Sequence, residues 1–386
     1  MIEGVADLPL HWGHVPPWLI SIMRRLAKAI VEIILMEYGS EGLLKRLSNP
    51  LWFQALNNVI GMDWDSSGST TVTTAILRNV LNELEAEVRV AGGKGKASRR
   101  TPEDIERYSE VLGINESLTK ALKEASVITA KVDTSLLQDG FNLYHHALVF
   151  DSRGRWVVIQ QGMNTELRLA RRYHIAWYSM RDMHYLINPH SGVASNLRTK
   201  PLNLTDESSR GSIKVVIDLI NEGPNKVRNA LTQVNALLKG IRTLFDLKPP
   251  RKIDRSIPYY RPVRLTSRLL NLLKQAYEVK PRNMKEIMLF TGLGPEGIRA
   301  LSLISELIYR EPPSLNDVDA VPFSPFKYAF TIGGKDGIPY PVKREVAEAV
   351  IRELRNIIEN ARLGSKERLI AFRALRKLTP RDFMQV

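Results

Sequence analysis

The stretch LYHHALVFDSRGRWVVIQQGMN, residues 143–164, carries the pattern of a β-hairpin. Two runs rich in aliphatic and aromatic residues flank a short polar segment that contains one glycine. A turn centred on Arg153 and Gly154 predicts that His146 lies opposite Gln161. Both faces of this hairpin are apolar near the turn and polar at the open end. We therefore expect both faces to be covered, with the polar residues where the strands emerge from the core.

The open end of the hairpin gathers side chains that could act chemically. Because side chains alternate along a strand, His145 and His146 point to opposite faces, and at most one of them should enter a site. Five of the seven histidines lie within 46 residues of sequence: His145, His146, His174, His184 and His190. The candidate catalytic residues at this end and just before it are Lys131, Asp133, Asp139, His145, His146, Gln160 and Gln161.

Carboxylate, amide and imidazole groups that meet at one strand end could hold a divalent metal, Mg or Mn, against a phosphate. The predicted ligands are Asp133, Asp139 and His146. Arg171 and Arg172 follow the second strand and could bind phosphate oxygens in a fork. The alternative is a buried hydrogen-bond network, because Gln and His at strand ends often satisfy loop backbone groups.

Length and helical periodicity predict the organisation of the rest of the chain. A chain of 386 residues suggests two or three domains, each able to bury a core. We predict an α+β, predominantly helical fold, in which residues 1–245 form a helix-rich domain with a small sheet. A linker rich in proline and basic residues covers 246–264, and 265–386 form a basic all-α domain. No cysteine is present, which fits a reducing interior or a hot-adapted source.

The charge points to a polyanionic partner. The formal charge is +14, and residues 241–386 carry 27 Lys and Arg against 16 Asp and Glu. Nucleic acid and an anionic membrane surface both fit such a charge. The most apolar early stretch, 18–36, is interrupted by Arg24, Arg25 and Lys28, which predicts an amphipathic helix and no membrane span. With no signal-peptide pattern, the sequence indicates a cytoplasmic protein.

The stretch FTGLGPEGIRALSLISELIY, residues 290–309, follows a short predicted helix and predicts a helix-hairpin-helix. Gly292 and Gly294 allow a tight hairpin, and the N–H groups at the start of the next helix, near Arg299, could bind a DNA backbone phosphate without reading bases. A plain connection with a glycine C-cap is the alternative. Lys335, in IGGKDGIPY, could reach a phosphate or lie in a solvated turn.

The loop AGGKGKASRR, residues 91–100, could clamp a polynucleotide backbone, against the alternative of a solvated basic loop. Its glycines allow close approach, and the charges come from Lys94, Lys96, Arg99 and Arg100. The spacing of Gly, Lys and Ser is not that of a Walker motif, so we expect no tightly bound nucleotide cofactor. In DWDSSGSTT, Asp63 and Asp65 could bind metal, although turn chemistry uses the same residues.

Several of these segments together resemble a known family. GVADLPLHWG, NPLWFQALNNVIGMDWDSSG, GGKGKASRRTPEDI, KVDTSLLQDGFNLYHHALVF and FTGLGPEGIRALSLISELIY are similar to a prokaryotic family, frequent in archaea. It is domain-of-unknown-function family number seven hundred and sixty-three. The resemblance covers nearly the whole chain and implies one shared architecture and, as an expectation, a DNA nuclease activity. A departure is Trp12, where a glycine is expected after His11, which leaves the roles of His11 and His14 open.

Three functional hypotheses follow. The first is a metal-dependent nuclease that hydrolyses DNA phosphodiester bonds, with Asp133 and Asp139 on the metal and a histidine or Lys131 acting on the water. Arg171, Arg172 and Lys94 would neutralise the phosphate in that reaction. The second is a non-enzymatic DNA- or RNA-binding protein whose polar cluster is structural. The third is a base-excision DNA glycosylase, suggested by Asp317 and Asp319, which follow the predicted helix-hairpin-helix. Against it, Glu296 stands where those glycosylases that are also lyases have a lysine.

Overall fold

The predicted hairpin is the centre of a five-stranded antiparallel sheet in strand order β1-β3-β4-β5-β6. The computed structural model describes residues 17–62, 67–195, 197–241, 250–318 and 344–378. The strands are β1 (Val88–Lys94), β2 (Leu137–Gln138), β3 (Asn142–Asp151), β4 (Trp156–Asn164), β5 (Leu169–Ala176), β6 (His190–Ala194) and β7 (Leu202–Asn203). The short strands β2 and β7 pair with each other in a separate two-stranded sheet.

The described residues form thirteen α-helices. They are α1 (Pro17–Leu47), α2 (Pro50–Ile60), α3 (Gly68–Glu83), α4 (Lys96–Arg99), α5 (Thr101–Leu112), α6 (Glu116–Lys131), α7 (Arg210–Glu222), α8 (Pro224–Leu238), α9 (Ser267–Val279), α10 (Met284–Phe290), α11 (Pro295–Leu307), α12 (Arg344–Asn360) and α13 (Ser365–Leu378). A π-helical turn, Val132–Leu136, continues α6. None of the described helices is both long and apolar enough to span a bilayer.

The hairpin register differs from the prediction by one residue. His146 lies opposite Gln160, and the predicted pairing of His146 with Gln161 is wrong. The turn is a three-residue loop, 152–154, which Gly154 closes with a left-handed φ of 76°. The carboxylate of Asp151 accepts the backbone N–H of Arg153 and of Arg155, each at 3.0 Å, and so fixes this longer loop.

Helices cover both faces of the sheet, as the hairpin pattern predicts. On the front, helices α5 to α11 pack against Leu148, Phe150 and Val158. On the back, helices α1 to α3 with α12 and α13 pack against Val149 and Val157. This alternation within one strand is what a sheet buried on both faces requires. The predicted fold class, a helix-rich α+β protein with a small antiparallel sheet, is confirmed at this level.

Residues on both sides of the predicted domain boundary share one core. Within the predicted linker, Ile257, Tyr259, Tyr260 and Val263 are buried in the hydrophobic cluster that contains the front of the sheet. Helices α9 to α11 join that cluster, whereas α12 and α13 contribute to the back cluster together with α1 and α2. The segment predicted as one C-terminal domain is therefore divided between the two helical layers.

Candidate functional site

The polar ends of β3, β4 and β5 lie side by side and form two rows, one on each face of the sheet. On the back, Gln161 pairs with both of its neighbours in the row; on the front, Gln160 does the same. All six side chains are buried, so their polar atoms must find partners within the protein. The back row is His145, Gln161 and Arg172, and the front row is His146, Gln160 and Tyr173.

Asp133 is the centre of the front network. It lies in the π-helical turn, and its side chain is fully buried. The Gln160 amide donates to Asp133 Oδ2 and to the backbone carbonyl of Thr129, the latter at 2.9 Å. On its other side, Asp133 Oδ1 lies 2.6 Å from Nε2 of His190. The short π-helical turn thus brings a carboxylate between a strand residue and a histidine 57 positions further along the chain.

His146 fixes the orientation of Gln160. Because Gln160 Nε2 faces two acceptors, its Oε1 must accept, so Nδ1 of His146 donates to it at 2.7 Å. The other ring nitrogen, Nε2, then accepts from the Ser126 hydroxyl at 2.9 Å. Burial lowers the pKa of His146, which keeps the imidazole neutral as this pattern demands. His146 therefore acts on Asp133 indirectly, by holding Gln160.

Asp139 and Arg171 form a second front cluster. Arg171 Nη1 lies 2.8 Å from Asp139 Oδ2, and Arg171 binds both oxygens of Asp317 at 2.8 Å. The Tyr173 hydroxyl and the backbone N–H of Phe141 also donate to Asp139, at 2.6 and 3.0 Å. Burial lowers the pKa of Arg171, but the two carboxylates raise it above its ordinary value overall, so the guanidinium remains charged.

Arg172, the next residue, has a different environment on the back. Its side chain is fully buried, and its closest polar partners are neutral: Gln54 Oε1 at 3.1 Å and Thr70 Oγ1 at 3.4 Å. The guanidinium carbon lies 4.7 Å from the centroid of the Phe53 ring. No Asp or Glu among the described residues pairs with it. Burial therefore lowers the pKa of Arg172 to about 9.

The remaining back residues belong to the same polar layer. Gln161 Oε1 accepts from Thr70, and Gln161 Nε2 donates to the Ser67 carbonyl at 2.8 Å and to the Tyr144 hydroxyl. His145 Nε2 lies 3.1 Å from Thr74 Oγ1, and burial lowers the pKa of His145 to about 3. His145 and His146 therefore do lie on opposite faces, as predicted from strand alternation.

Two predicted cationic residues are tied to backbone carbonyls. Lys131 donates to the carbonyl of Met288 near the end of α10, and burial lowers the pKa of this lysine. Arg299 donates to the carbonyls of Tyr259 and Arg261, and it also pairs with Glu296 at 2.6 Å. The first contact joins α6 to α10, and the second joins α11 to the segment that contains Tyr259 and Arg261. Both side chains therefore have structural partners.

The predicted basic loop lies at the same end of the sheet. Lys94 ends β1 opposite His145, and α4 follows it directly. Lys94, Lys96, Arg99 and Arg100 are all exposed. Other residues singled out from the sequence fall outside the described ranges: His11, His14, Asp63, Asp65, Asp319 and Lys335.

Helices α10 and α11 are joined by residues 291–294. Gly292 has a left-handed φ of 70°, the conformation that a helix C-cap glycine also adopts. Gly294 is extended and precedes the first residue of α11, Pro295. A Cβ added at Gly294 would meet nothing within 4 Å. The two helices and their short connection agree with the predicted helices, and the C-cap alternative accounts for Gly292 equally well.

Two neighbouring cavities open on the front, and we call them together the front groove. They have volumes of about 880 and 840 Å³. Thr199, Lys200 and Ile257 line both. The first cavity is also lined by His190, Asp317, Arg198, Arg251 and Lys252. The second is also lined by Asp133, Asp139, Arg261, Pro295, Glu296 and Arg299. The front network therefore borders these two cavities. No residue of the back row lines either of them.

The predicted metal ligands have protein partners. Both ring nitrogens of His146 are hydrogen-bonded, and Asp139 is neutralised by Arg171. Asp133 accepts from Gln160 and faces His190, which leaves further acceptor capacity on a carboxylate. Across the described ranges, no three His, Asp or Glu side chains stand where they could jointly hold a metal ion. The metal remains a prediction from the sequence.

The sequence did not single out His190 as a site residue. The crowding of five histidines between 145 and 190 was a signal for it, but histidine counts do not tell which one reaches a carboxylate. Asp317 was considered only for glycosylase chemistry, whereas in the structure both of its oxygens bind Arg171. Both contacts join residues distant in sequence, which local patterns do not reveal.

The comparisons with known proteins identify a family and no relative of known activity. No curated protein and no solved structure matches the chain significantly. The sequence profile of a family described as "Protein of unknown function (DUF763)" matches residues 4–342. Because that match covers most of the 386 residues, the chain belongs to the DUF763 family.

Proposed function

We propose that this chain binds the DNA backbone in the front groove and hydrolyses phosphodiester bonds there. The observation that carries the proposal is the pair formed by Asp133 and His190, 2.6 Å apart, which borders the groove from both of its cavities. A carboxylate bonded to an imidazole is an arrangement for moving a proton, and here the carboxylate is fully buried whereas the imidazole, 5% exposed, faces the first cavity. The pair also supplies the histidine that the nuclease hypothesis requires.

Six Lys and Arg side chains line the front groove together with six carboxylates, so the groove offers cations that could contact a phosphate. Lys200 and Lys252 are exposed and both lie close enough to Asp254 to lower the pKa of that carboxyl, after the hydrogen bonds from Ser256. Arg198, Arg251 and Arg261 also line the groove. Together with the formal charge of +14, these cations favour contacts to a nucleic-acid backbone that do not depend on base sequence.

The proton chemistry follows from the hydrogen bond to Asp133. If Nε2 of His190 carries the proton that Asp133 accepts, Nδ1 is the ring nitrogen that can take a proton from an attacking water. Asp133 then orients the imidazole and stabilises its charged form. Gln160, held by His146, keeps the carboxylate in position. Proton transfer by such a group contributes about 10²- to 10⁴-fold to a rate.

The metal of the nuclease hypothesis, Mg or Mn, fits this site only in part. When bound, it would neutralise charge on the phosphate. Of the predicted ligands, Asp133 is the carboxylate at the groove that no cation neutralises, and we assign it to the metal. Asp139 is already paired with Arg171, and His146 has no ring nitrogen free, so we do not assign either of them.

The α10–α11 hairpin and the basic loop would extend the DNA-binding surface. Pro295 at the start of α11 lines the second cavity, so the N–H groups of the hairpin would meet a phosphate beside the groove. Lys94, Lys96, Arg99 and Arg100 would hold the strand where it passes the end of β1. Because Arg299 is tied to backbone carbonyls, we propose that it supports the hairpin without contacting DNA itself.

Labelled DNA incubated with the protein in Mg, Mn or EDTA tests the proposal, together with two histidine variants. We expect cleavage with metal and none with EDTA. His190→Gln should reduce cleavage about 10²- to 10⁴-fold with little effect on DNA binding. His184→Gln is the matched control, because His184 is exposed on the same layer, and should leave cleavage unchanged. Undiminished cleavage by His190→Gln, or cleavage that persists in EDTA, would contradict the mechanism.

A non-enzymatic DNA- or RNA-binding protein is the second candidate. The observation that favours it is the mutual satisfaction of Ser126, His146 and Gln160, which is what a structural polar network looks like. This candidate predicts backbone binding with a steep salt dependence but no cleavage with either metal. The glycosylase, suggested by Asp317 and Asp319, stays an untested prediction that we do not develop: Asp317 is bound to Arg171, and Asp319 lies outside the described residues.

A further inference from the structure

We infer that the back of the polar end is a binding site for a small oxyanion, of which phosphate is the simplest, held by Arg172 between the sheet and helices α2 and α3. The site lies on the opposite face of the sheet from the front groove. It does not depend on the proposed nuclease activity, and a different group of residues forms it.

The first argument is charge. Arg172 is fully buried, and its described partners, Gln54 and Thr70, are neutral. Guanidinium is the most basic side chain and retains its proton in proteins. A buried charge without a counter-ion is strongly unfavourable, so buried charges are normally paired or hydrogen-bonded throughout. An anion bound beside Arg172 would supply the missing charge.

The second argument is a set of buried donors that lack acceptors. Arg172 Nε, Asn57 Nδ2 and Asn58 Nδ2 are buried and make no hydrogen bond. Their orientation is set by their neighbours: Thr73 donates to Asn57 Oδ1, and Gln54 donates to Asn58 Oδ1 at 3.4 Å. Gln54 also accepts from Arg172, so the guanidinium and the Asn58 amide are linked through one side chain.

Further unpaired atoms belong to the same layer. His145 Nδ1, His174 Nε2 and Ser69 Oγ are also buried without partners. His174 and Arg172 both pack on the ring of Phe53, at 5.4 and 4.7 Å. Native proteins leave few buried polar atoms unpaired, and each such atom calls for an explanation. These atoms lie on α2, α3, β3 and β5, and such a cluster points to a ligand.

The residues that surround Arg172 select an oxyanion over a cation. The buried polar residues of this layer are Gln54, Asn57, Asn58, Ser67, Ser69, Thr70, Thr73, Thr74, His145, Gln161, Arg172 and His174. This described set contains no carboxylate that could bind a metal ion. Its unpaired amide and guanidinium atoms are donors only, and such donors match the several acceptors of a phosphate. Asn58 has the largest exposed fraction of this set, 8%.

Thermal unfolding of the full chain in inorganic phosphate, with NaCl adjusted to constant ionic strength, tests the inference. Phosphate should raise the unfolding temperature of the wild type in a saturable way. At a concentration 100 times its Kd, it should lower the unfolding equilibrium constant about 100-fold. Equilibrium dialysis with labelled phosphate should find one ion per chain. No effect of phosphate on the wild type, with no ion bound in dialysis, would overturn the inference.

Arg172→Met separates this site from the alternatives. Without phosphate the variant should unfold at the same temperature as the wild type or higher, because an uncompensated buried charge has been removed. It should also lose the response to phosphate. If Arg172→Met instead unfolds at a much lower temperature and the wild type ignores phosphate, another part of the chain already neutralises Arg172, and the inference fails.

Two more variants keep the test decisive if Arg172→Met does not fold. Asn58→Asp has the same shape and introduces a negative charge beside the donors, so it should abolish the phosphate response. Lys200→Gln, in the front groove, should leave that response intact. The reverse pattern would place the ion in the front groove and contradict the inference. Adenosine monophosphate and acetate, used in parallel, distinguish a free phosphate from a nucleotide phosphate and from a carboxylate.

Discussion

Arg171 and Arg172 are adjacent in the chain and equally buried, yet they illustrate opposite ways of placing a charge inside a protein. On the front, Arg171 binds Asp139 and Asp317 through three contacts of 2.8 Å. On the back, Arg172 has only an amide, a hydroxyl and an aromatic ring around it. Strand alternation alone separates the two side chains. The front arginine therefore has its counter-charges within the protein, whereas the back arginine has none among the described residues.

The largest expected effect comes from removing the front arginine. Arg171→Met leaves Asp139 and Asp317 buried without a cation and should lower the free energy of unfolding by about 3–5 kcal/mol. Arg172→Met is the matched variant on the back and should change it little or raise it. Urea unfolding of both variants measures the difference. Equal losses in the two variants would remove the contrast between the faces.

Replacing the front histidine, His146, should also cost more stability than replacing its neighbour on the back, His145. His146→Phe leaves the Ser126 hydroxyl and Gln160 Oε1 without partners and should cost about 2 kcal/mol or more. His145→Phe removes only its contact with Thr74, whose hydroxyl also bonds the carbonyl of Thr70, and should cost less than about 1 kcal/mol. Urea unfolding at pH 7.5 tests this order, which a larger loss for His145→Phe would contradict.

Acid should weaken the protein through the back histidine. Burial lowers the pKa of His145 from 6.5 to about 3, so between these values the unfolded state binds a proton that the folded state does not. The free energy of unfolding therefore falls as the pH falls, by up to about 1.4 kcal/mol per pH unit for this histidine. Urea unfolding between pH 6.5 and 5 should show a shallower dependence in His145→Asn. An unchanged slope would mean that His145 is not held neutral.

The smallest effect on stability is expected at the exposed loop that borders both faces. Lys94→Gln and Arg99→Gln should each change the free energy of unfolding by less than about 0.5 kcal/mol. Each should make the plot of log affinity for DNA against log salt less steep, by about 0.9 in the magnitude of its slope. Lys366→Gln, an exposed lysine on α13, is the control and should leave the slope unchanged. Equal slopes for all three variants would exclude this loop from the DNA-binding surface.

Local pattern was sufficient to predict much of the fold. The apolar runs on both faces of residues 143–164 predicted a hairpin covered on both sides, because a strand with one face in solvent would alternate apolar and polar residues. The register was wrong because the left-handed Gly154 adds a residue to the turn, which composition does not show. The prediction that the apolar part of the hairpin is buried on both faces was right. The polar ends of the strands, which were predicted to emerge from the core, are buried as well.

The candidate site was less predictable. The sequence placed Asp133, Gln160 and His146 in one region, and they do form one network. It also treated Arg171 and Arg172 as one phosphate-binding pair, although the alternation applied to His145 and His146 applies equally to them. The pair of Asp133 with His190 could not be inferred, because it depends on how β6 and the turn after α6 pack in three dimensions.

The π-helical turn at Val132–Leu136 makes the chemistry of the front sensitive to chain length in a way that substitutions do not reveal. Such a turn holds one residue more than an ordinary helical turn. Deleting Val132, which precedes Asp133 in this turn, would move Asp133 back by one helical position and rotate its side chain by roughly 100° about the helix axis. Asp133 would then swing away from both Gln160 and His190, although no side chain of the network had been altered.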